Sequence, residues 1–375
     1  MSKSISTVHI TSAHPRYDTR IFVKECSSLA KEYELSLIVA DGLGDETKNG
    51  VRIIDAGKPA GRMERMFKTV NAVYKKAVAL DADIYHLHDP ELLRIGLKLK
   101  RAGKKVIFDA HEDLPVQIRN KTYLRPCVRK AAALFFQHYE AYACSRFDAV
   151  VAATPFIRDK FLAINMQTED INNYPILDEL GNTVAYRERD DTVCYVGYIT
   201  EVRGIKELVR AMESVEGCRL TLAGKFQEPE VEKEVRGYRG WEKVDFPGFL
   251  DRNGIRDLLS RSRAGLVTLH PTPNYLDALP VKMFEYMAAG VPVIASDFPL
   301  WRSIIDDAGC GICVDPESPE SVAKAINRLL ADPEKAEKMG DSGRKAAREK
   351  YNWGMEEQKL LDLYSLLLRK QESGI

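Results

Sequence analysis

Short runs of β-branched and aliphatic residues alternate with longer amphipathic stretches from one end of the chain to the other. The first series of runs lies at 8–12, 35–40, 51–55, 84–88, 105–110 and 149–153. A second lies at 193–198, 219–223, 244–246, 265–269, 292–296 and 311–314. Brief, almost continuously apolar runs separated by helix-length segments are strands of parallel sheets covered on both faces by helices. The pattern predicts an α/β chain of two Rossmann-like, doubly wound domains. Residues 178–191 are polar, carry two acidic clusters and show no apolar period, so the linker falls there and the domains are 1–178 and 179–357. Leu and Met at helical spacing in 354–369 predict a closing helix. In such a pair of domains the default ligand site is the cleft facing the carboxyl ends of both sets of strands.

Composition narrows the picture. With 375 residues, 45% hydrophobic and 29% charged, the chain is long enough for two cores and excludes disorder, collagen and coiled coil. Lys and Arg (55) balance Asp and Glu (55), which excludes a dedicated nucleic-acid binder. The balance hides an asymmetry: residues 1–180 carry 27 basic and 23 acidic side chains and the remainder 28 and 32, so the parts are +4 and −4. Within it, Arg62, Arg65, Lys68, Lys75 and Lys76 are interspersed with Met63, Met66 and Phe67. Such a stretch suits an anionic membrane surface, and equally a packed helix with a solvated basic face. The longest apolar stretches, such as 131–136, are too short to cross a bilayer, so any membrane contact is peripheral. Seven scattered cysteines without a secretory signal read as reduced and cytoplasmic. The lone Cys310-Gly-Ile-Cys313 reads as a turn entering a strand.

The densest chemistry is in Asn274-Tyr-Leu-Asp277-Ala-Leu279-Pro280-Val-Lys282-Met-Phe-Glu285-Tyr-Met-Ala-Ala-Gly290, followed by Val-Pro-Val-Ile. Pro280 suits a first helical turn and Gly290 a helix end, so the amides around Leu279 to Lys282 form an anion socket flanked by Asp277 and Glu285. A second stretch, Tyr195-Val-Gly197-Tyr198-Ile-Thr-Glu-Val-Arg203-Gly-Ile, ends a strand. Both resemble the retaining GT-B glycosyltransferases, especially glycosyltransferase family 4 and its exopolysaccharide-type members, over nearly the entire chain.

That resemblance implies the GT-B fold, with residues from about 358 to 375 crossing back to the first domain. It implies transfer of a sugar from a nucleotide diphosphate donor, UDP- or GDP-linked, to a hydroxyl of a glycan or lipid-linked acceptor, with retention and without a bound metal or cofactor. Glu285 matches the Glu that binds the ribose, and Asp277 stands where the donor-sugar Glu belongs. Arg203 occupies the position of the family's diphosphate-binding Lys, beside Gly197. Tyr198 replaces the family's Arg, a loss that Lys282 would offset unless it is a surface lysine. Ala278, Leu279 and Pro280 would supply amides to sugar and pyrophosphate.

In the first half, His111 ends a strand in Asp-Ala-His-Glu-Asp and matches the family's His near the anomeric centre, making His111, Asp277 and Arg203 the catalytic set. Asp18 and Arg20 would contact acceptor or diphosphate, or Asp18 would cap a helix. His86, His88 and Asp89 superficially resemble metal ligands but lack a further His cluster, so no metal is expected. Asn173-Tyr-Pro resembles the element ending the family's first domain. Two other classes remain open. A GT-B epimerase would carry further cleft carboxylates and convert donor without acceptor, whereas a noncatalytic binder, suggested by Asp277 and Tyr198, would hold donor without turnover.

Overall fold

A computed structural model of the chain describes residues 5–120, 125–180 and 184–372. It divides into two units, residues 1–173 with 356–375, and 174–355. Residues 181–183 of the expected linker and 373–375 of the expected closing segment lie outside the described residues.

The first unit is built on eight strands: β1 (Ser6–Ile10), β2 (Glu34–Val39), β3 (Glu46–Lys48), β4 (Val51–Asp55), β5 (Ile84–Leu87), β6 (Lys105–Ala110), β7 (Ala149–Ala152) and β8 (Thr168–Asp170). Their order is β3-β4-β2-β1-β5-β6-β7-β8, parallel except for the antiparallel pair β3 and β4. The order reverses between β1 and β5, where His9 is in register with His86. Carboxyl ends of strands flanking such a reversal leave a crevice between their diverging connections. All four side chains of β5 are buried because helices cover both sheet faces.

The second unit carries β9 (Thr192–Val196), β10 (Arg219–Ala223), β11 (Val244–Gly248), β12 (Ala264–Val267), β13 (Val293–Ser296) and β14 (Gly311–Val314). All neighbours are parallel, in the order β11-β10-β9-β12-β13-β14, with the reversal between β9 and β12. The helix Val281–Ala288 lies against this point. Tyr286 packs its ring where a Cβ on Gly265 would sit, 2.3 Å from Cδ2, and its hydroxyl accepts from the Val196 N–H at 3.1 Å.

The expected boundaries shift by a few residues for a packing reason. Tyr174 meets the rings of Phe284 (4.7 Å) and Tyr351 (5.4 Å), which puts it in the second core. Asn172 donates its N–H to Glu356 at 2.7 Å, which puts both in the first unit. The closing helix, Trp353–Glu372, then buries Leu360, Leu363, Tyr364 and Leu367 at helical spacing in that unit. Two strands absent from the sequence reading, β3 and β8, are three-residue polar segments, and β3 departs from the all-parallel expectation as a short charged edge.

Gly265→Ala should lower the apparent melting temperature, since overpacking costs about 1–3 kcal/mol. An unchanged melting curve would show that Tyr286 can move aside.

Candidate active site

In the second unit β9 ends at Val196 and enters Gly197, whose φ of +127° favours glycine. A Cβ on Gly224, at the end of β10, would lie 1.8 Å from the Gly197 carbonyl oxygen, so the two strand ends meet backbone to backbone. The chain then turns through Glu201–Arg203 into the helix Ile205–Ala211. A pocket of about 240 Å³ opens here, lined by Gly197, Tyr198, Arg203, Lys225, Phe249 and Leu250 among others.

Two cations flank Gly197. A Cβ built there would lie 3.4 Å from Lys282 Nζ and 3.5 Å from Arg203 Nη1. Burial disfavours the Arg203 charge, but the neighbouring Tyr195 and Tyr275 hydroxyls raise its pKa on balance. Lys282 is not a surface lysine: its ammonium is buried, lies 3.7 Å from the centroid of the Tyr195 ring and has no hydrogen-bond partner. Neither cation forms an ion pair with a described carboxylate. Burial, reinforced by the Arg203 charge, pushes the Lys282 pKa well below the usual lysine range.

Glu285, one turn along the same helix and 8% exposed, accepts from Arg252 Nη1 at 2.6 Å. Arg252 also binds Glu179 through Nε (3.1 Å) and Nη2 (2.5 Å). Asp277 is exposed at the end of the short helix Pro273–Leu276. Pro280 sits at the N-cap with extended backbone, not in the first turn as expected, and has no N–H to give. Ala278 is also withdrawn from the expected set, because its N–H donates to Tyr275 O (3.2 Å). The socket amides are therefore those of Leu279, Val281 and Lys282.

In the first unit a pocket of about 230 Å³ lies at the ends of β5 and β6, lined by His14, His88, Asp89, Asp109 and His111 among others. Asp89 accepts from Ser12 N (2.5 Å) and Thr11 Oγ1 (2.9 Å) and lies 3.1 Å from His14 Nδ1. Burial raises its pKa, yet the His14 contact and these hydrogen bonds hold it down to about 2. Asp109 is fully buried and takes both Nε and Nη2 of Arg20 at 2.9 Å, which keeps it ionised against the opposing effect of burial. His111 Nε2 is 3.0 Å from Asp109 Oδ2. A carboxylate only accepts, so that nitrogen carries the proton and Nδ1 of a neutral ring is the acceptor.

The expected acceptor contacts of Asp18 and Arg20 do not hold. Asp18 caps the helix Thr19–Cys26, accepting from the N–H groups of Arg20 and Ile21, which is the capping alternative. That helix is wound as a π-helix and turns Arg20 inward, 5% exposed, onto Asp109 and Glu25. Sequence reasoning also missed Lys225, Phe249 and Arg252, which belong to no motif, Tyr275, which lies in the quoted motif without a role, and Asp109, which looked like one more residue of a buried strand.

Residues 180–346 match the family described as Glycosyl transferases group 1, and residues 21–172 match Glycosyltransferase Family 4. The alpha-D-kanosaminyltransferase of Streptomyces kanamyceticus is 28% identical over 247 residues, 64% of this chain and 62% of the relative. Matches to two other curated relatives span 51% and 65% of their length. Among solved structures, the sucrose-phosphate synthase of Thermosynechococcus elongatus aligns with a TM-score of 0.79 at 20% identity, covering 97% of this chain and 99% of that one. Anabaena HepE in complex with UDP-glucose aligns at 0.74 and 14% identity, covering 96% and 99%. The chain belongs to the GT-B glycosyltransferases of the family 4 type.

Lys282→Met should raise the melting temperature of the unliganded protein by roughly 2–8 °C, because it removes a buried charge that lacks a partner. Folding lowers the Lys282 pKa, so the unfolded chain holds the extra proton and wild-type stability rises with pH between the folded and unfolded values. The advantage of Met is then full at low pH and fades as pH climbs toward about 10.4. A variant less stable than wild type at neutral pH would contradict this.

Proposed function

We propose that this chain transfers a sugar from a nucleotide diphosphate donor to an acceptor hydroxyl with retention of configuration, in polysaccharide or glycolipid synthesis. The observation that carries the reading is the pair of cations, Arg203 and Lys282, beside Gly197, neither of them in an ion pair with a carboxylate among the described residues. A fold tolerates such an arrangement where an anion is to bind. A diphosphate supplies two linked negative groups; the Arg203 fork and the Lys282 ammonium meet them, and the amides of Leu279, Val281 and Lys282 add donors at a helix start.

Glu285 holds the ribose, itself oriented by Arg252. Phe249, 82% exposed on the pocket lining, offers an aromatic face to the base. UDP is the first candidate, because HepE, a neighbour in fold, is described with UDP-glucose, and GDP is the second. Asp277 meets the donor-sugar hydroxyls. In the transfer step the bond between the anomeric carbon and the diphosphate oxygen breaks, a bond to the acceptor oxygen forms on the same face, and the acceptor proton passes to the departing phosphate. No enzyme nucleophile, metal or cofactor takes part, and the charge that develops on the leaving group is met by the two cations. His111, with Nδ1 as acceptor, orients a glycan or lipid-linked hydroxyl in the first-unit pocket.

The reading places the protein in the cytoplasm, peripheral on the inner face of the membrane. Among the described residues no helix is long and apolar enough to cross a membrane. Met63, Met66 and Phe67 are exposed, as are Lys68 and Lys75, on a helical stretch whose Val70, Val73 and Ala77 are buried. The side chain of Arg62 lies outside the described residues, and Arg65 pairs with Glu91 at 2.9 Å. Exposed apolar and basic groups on one segment suit an anionic lipid surface.

Arg203→Ala and Glu285→Ala should each weaken UDP binding about 10–100-fold by calorimetry, whereas His111→Ala should bind donor normally and lose transfer. Donor that binds but is never transferred to any acceptor would make the protein a sugar-nucleotide binder. Diphosphate binding should raise the depressed Lys282 pKa, so between its values in the free and bound protein UDP binding takes up a proton and weakens as pH rises; Lys282→Met should abolish the uptake. Vesicle binding, if it rests on charge, should fall with raised salt or without anionic lipid, and indifference to both would count against the membrane reading.

A further inference from the structure

His88 lines the first-unit pocket and also belongs to a constellation closed to solvent. His9 on β1, Glu25 on the helix Thr19–Cys26, and His86 and His88 at the end of β5 are each 0% to 2% exposed. One potential ligand atom from each lies within 4.8 Å of those of the other three. His9 Nδ1 is 2.8 Å from His88 Nε2, and Glu25 Oε2 is 3.8 Å from the former and 3.9 Å from the latter.

The other nitrogens are held from behind. The Tyr364 hydroxyl lies 3.0 Å from His9 Nε2 and 2.9 Å from His86 Nδ1, and Asp109 Oδ2 lies 3.2 Å from His88 Nδ1. That leaves His9 Nδ1, His86 Nε2 and His88 Nε2 as the inner atoms. His86 Nε2 is buried without a hydrogen-bond partner, and neither buried oxygen of Glu25 accepts a hydrogen bond. The nearest cation to Glu25, Arg20, has Nε 3.0 Å from Oε1 but spends its fork on Asp109. One Arg is thus shared between two buried carboxylates, Asp109 and Glu25.

We propose that His9, His86, His88 and Glu25 bind one zinc-class divalent cation in a closed, four-coordinate site. Three imidazoles and a carboxylate are the donor set of that class. Tetrahedral bonds of about 2.0–2.1 Å need ligand edges of roughly 3.3 Å, so the His9–His88 contact opens and the Glu25 contacts close by about half an ångström each. With the ion bound, every ring proton sits on an outer nitrogen: His9 and His86 donate to the two lone pairs of Tyr364, and His88 donates to Asp109. Without it, the 2.8 Å contact between two inner nitrogens needs a proton of its own, which turns one ring to the other tautomer. The ion thus fixes the His88 N–H on Asp109, which in turn holds His111. No coordination position is open, so the role is structural and positioning, separate from donor binding in the second unit.

The full chain, grown with added zinc and purified without chelating resin, should carry about one equivalent by mass spectrometry of metals. Cobalt(II) in its place should give the intense visible bands of a four-coordinate site. His111→Ala should keep the metal, and His86→Ala should lose it. Tyr364→Phe, which spares every ligand, should weaken affinity about 10–100-fold and keeps the test alive if a ligand variant does not fold. Folded wild type without stoichiometric metal after growth with zinc, manganese or iron, and without cobalt bands, would overturn the proposal. So would metal lost in His111→Ala but kept in His86→Ala, which would move the ion to the pocket side of His88. UDP binding intact in metal-free protein would leave the donor reading standing.

Discussion

A charge kept from water needs a counter-charge, a network of hydrogen bonds, or a ligand still to come. The second unit leaves Lys282 with the third option only. Everything around that ammonium is there to hold it in place without satisfying it. Tyr195 offers a ring face, Arg203 repels it, and the helix that carries it is clamped to the sheet through Tyr286 on Gly265 and the Val196 amide. Hydrophobic burial of the helix face supplies the energy that the lone charge consumes. A site held in this state is preorganised for an anion, because the positions of its cationic groups are fixed on folding and not on binding.

The first unit treats buried charge in the opposite way. Arg20 and Asp109 form a two-point pair, Asp89 is wrapped by Thr11, Ser12 and His14, and imidazoles fill the remaining positions. Polar groups there are tied to one another, which on the proposed reading suits a surface that orients a neutral hydroxyl and does not attract an anion. Glu25 is the exception: it shares Arg20 with Asp109, and neither of its buried oxygens accepts a hydrogen bond.

Most of the architecture was legible because burial on both faces writes a strand as an apolar run; β3 and β8 were not, since an edge of three polar residues leaves no such mark. In the site, Glu285, Arg203 and Gly197 were visible as motif positions, and the structure brings Arg203 and Lys282 to the same glycine. The depth of Lys282 was not, because a lysine in a first helical turn looks the same in sequence whether it faces water or a sheet. Arg20 was misassigned for a related reason: the wide turn of a π-helix rotates it inward, and no spacing rule announces that winding. The imidazole cluster draws on positions 9, 25, 86, 88 and 364, so only the register of β1 with β5 and the return of the last helix bring it together.

The departures from the family pattern follow from this distribution of charge. Where the family has Arg, Tyr198 stands 60% exposed, with the Arg203 guanidinium 5.9 Å from its ring centroid. The second cation has moved from the pocket lining to the buried side of Gly197, as Lys282. An exchange of Arg for Lys changes more than position. A guanidinium stays charged at any accessible pH, whereas a desolvated ammonium gives up its proton readily and regains it when an anion arrives. On the proposed reading the number of cations facing a diphosphate would thereby be preserved, but binding would be coupled to a proton that the family's arrangement would not need. On that reading, departure of the nucleotide would relax the same coupling, so the group that holds the leaving phosphates would also lose part of its charge once they are gone.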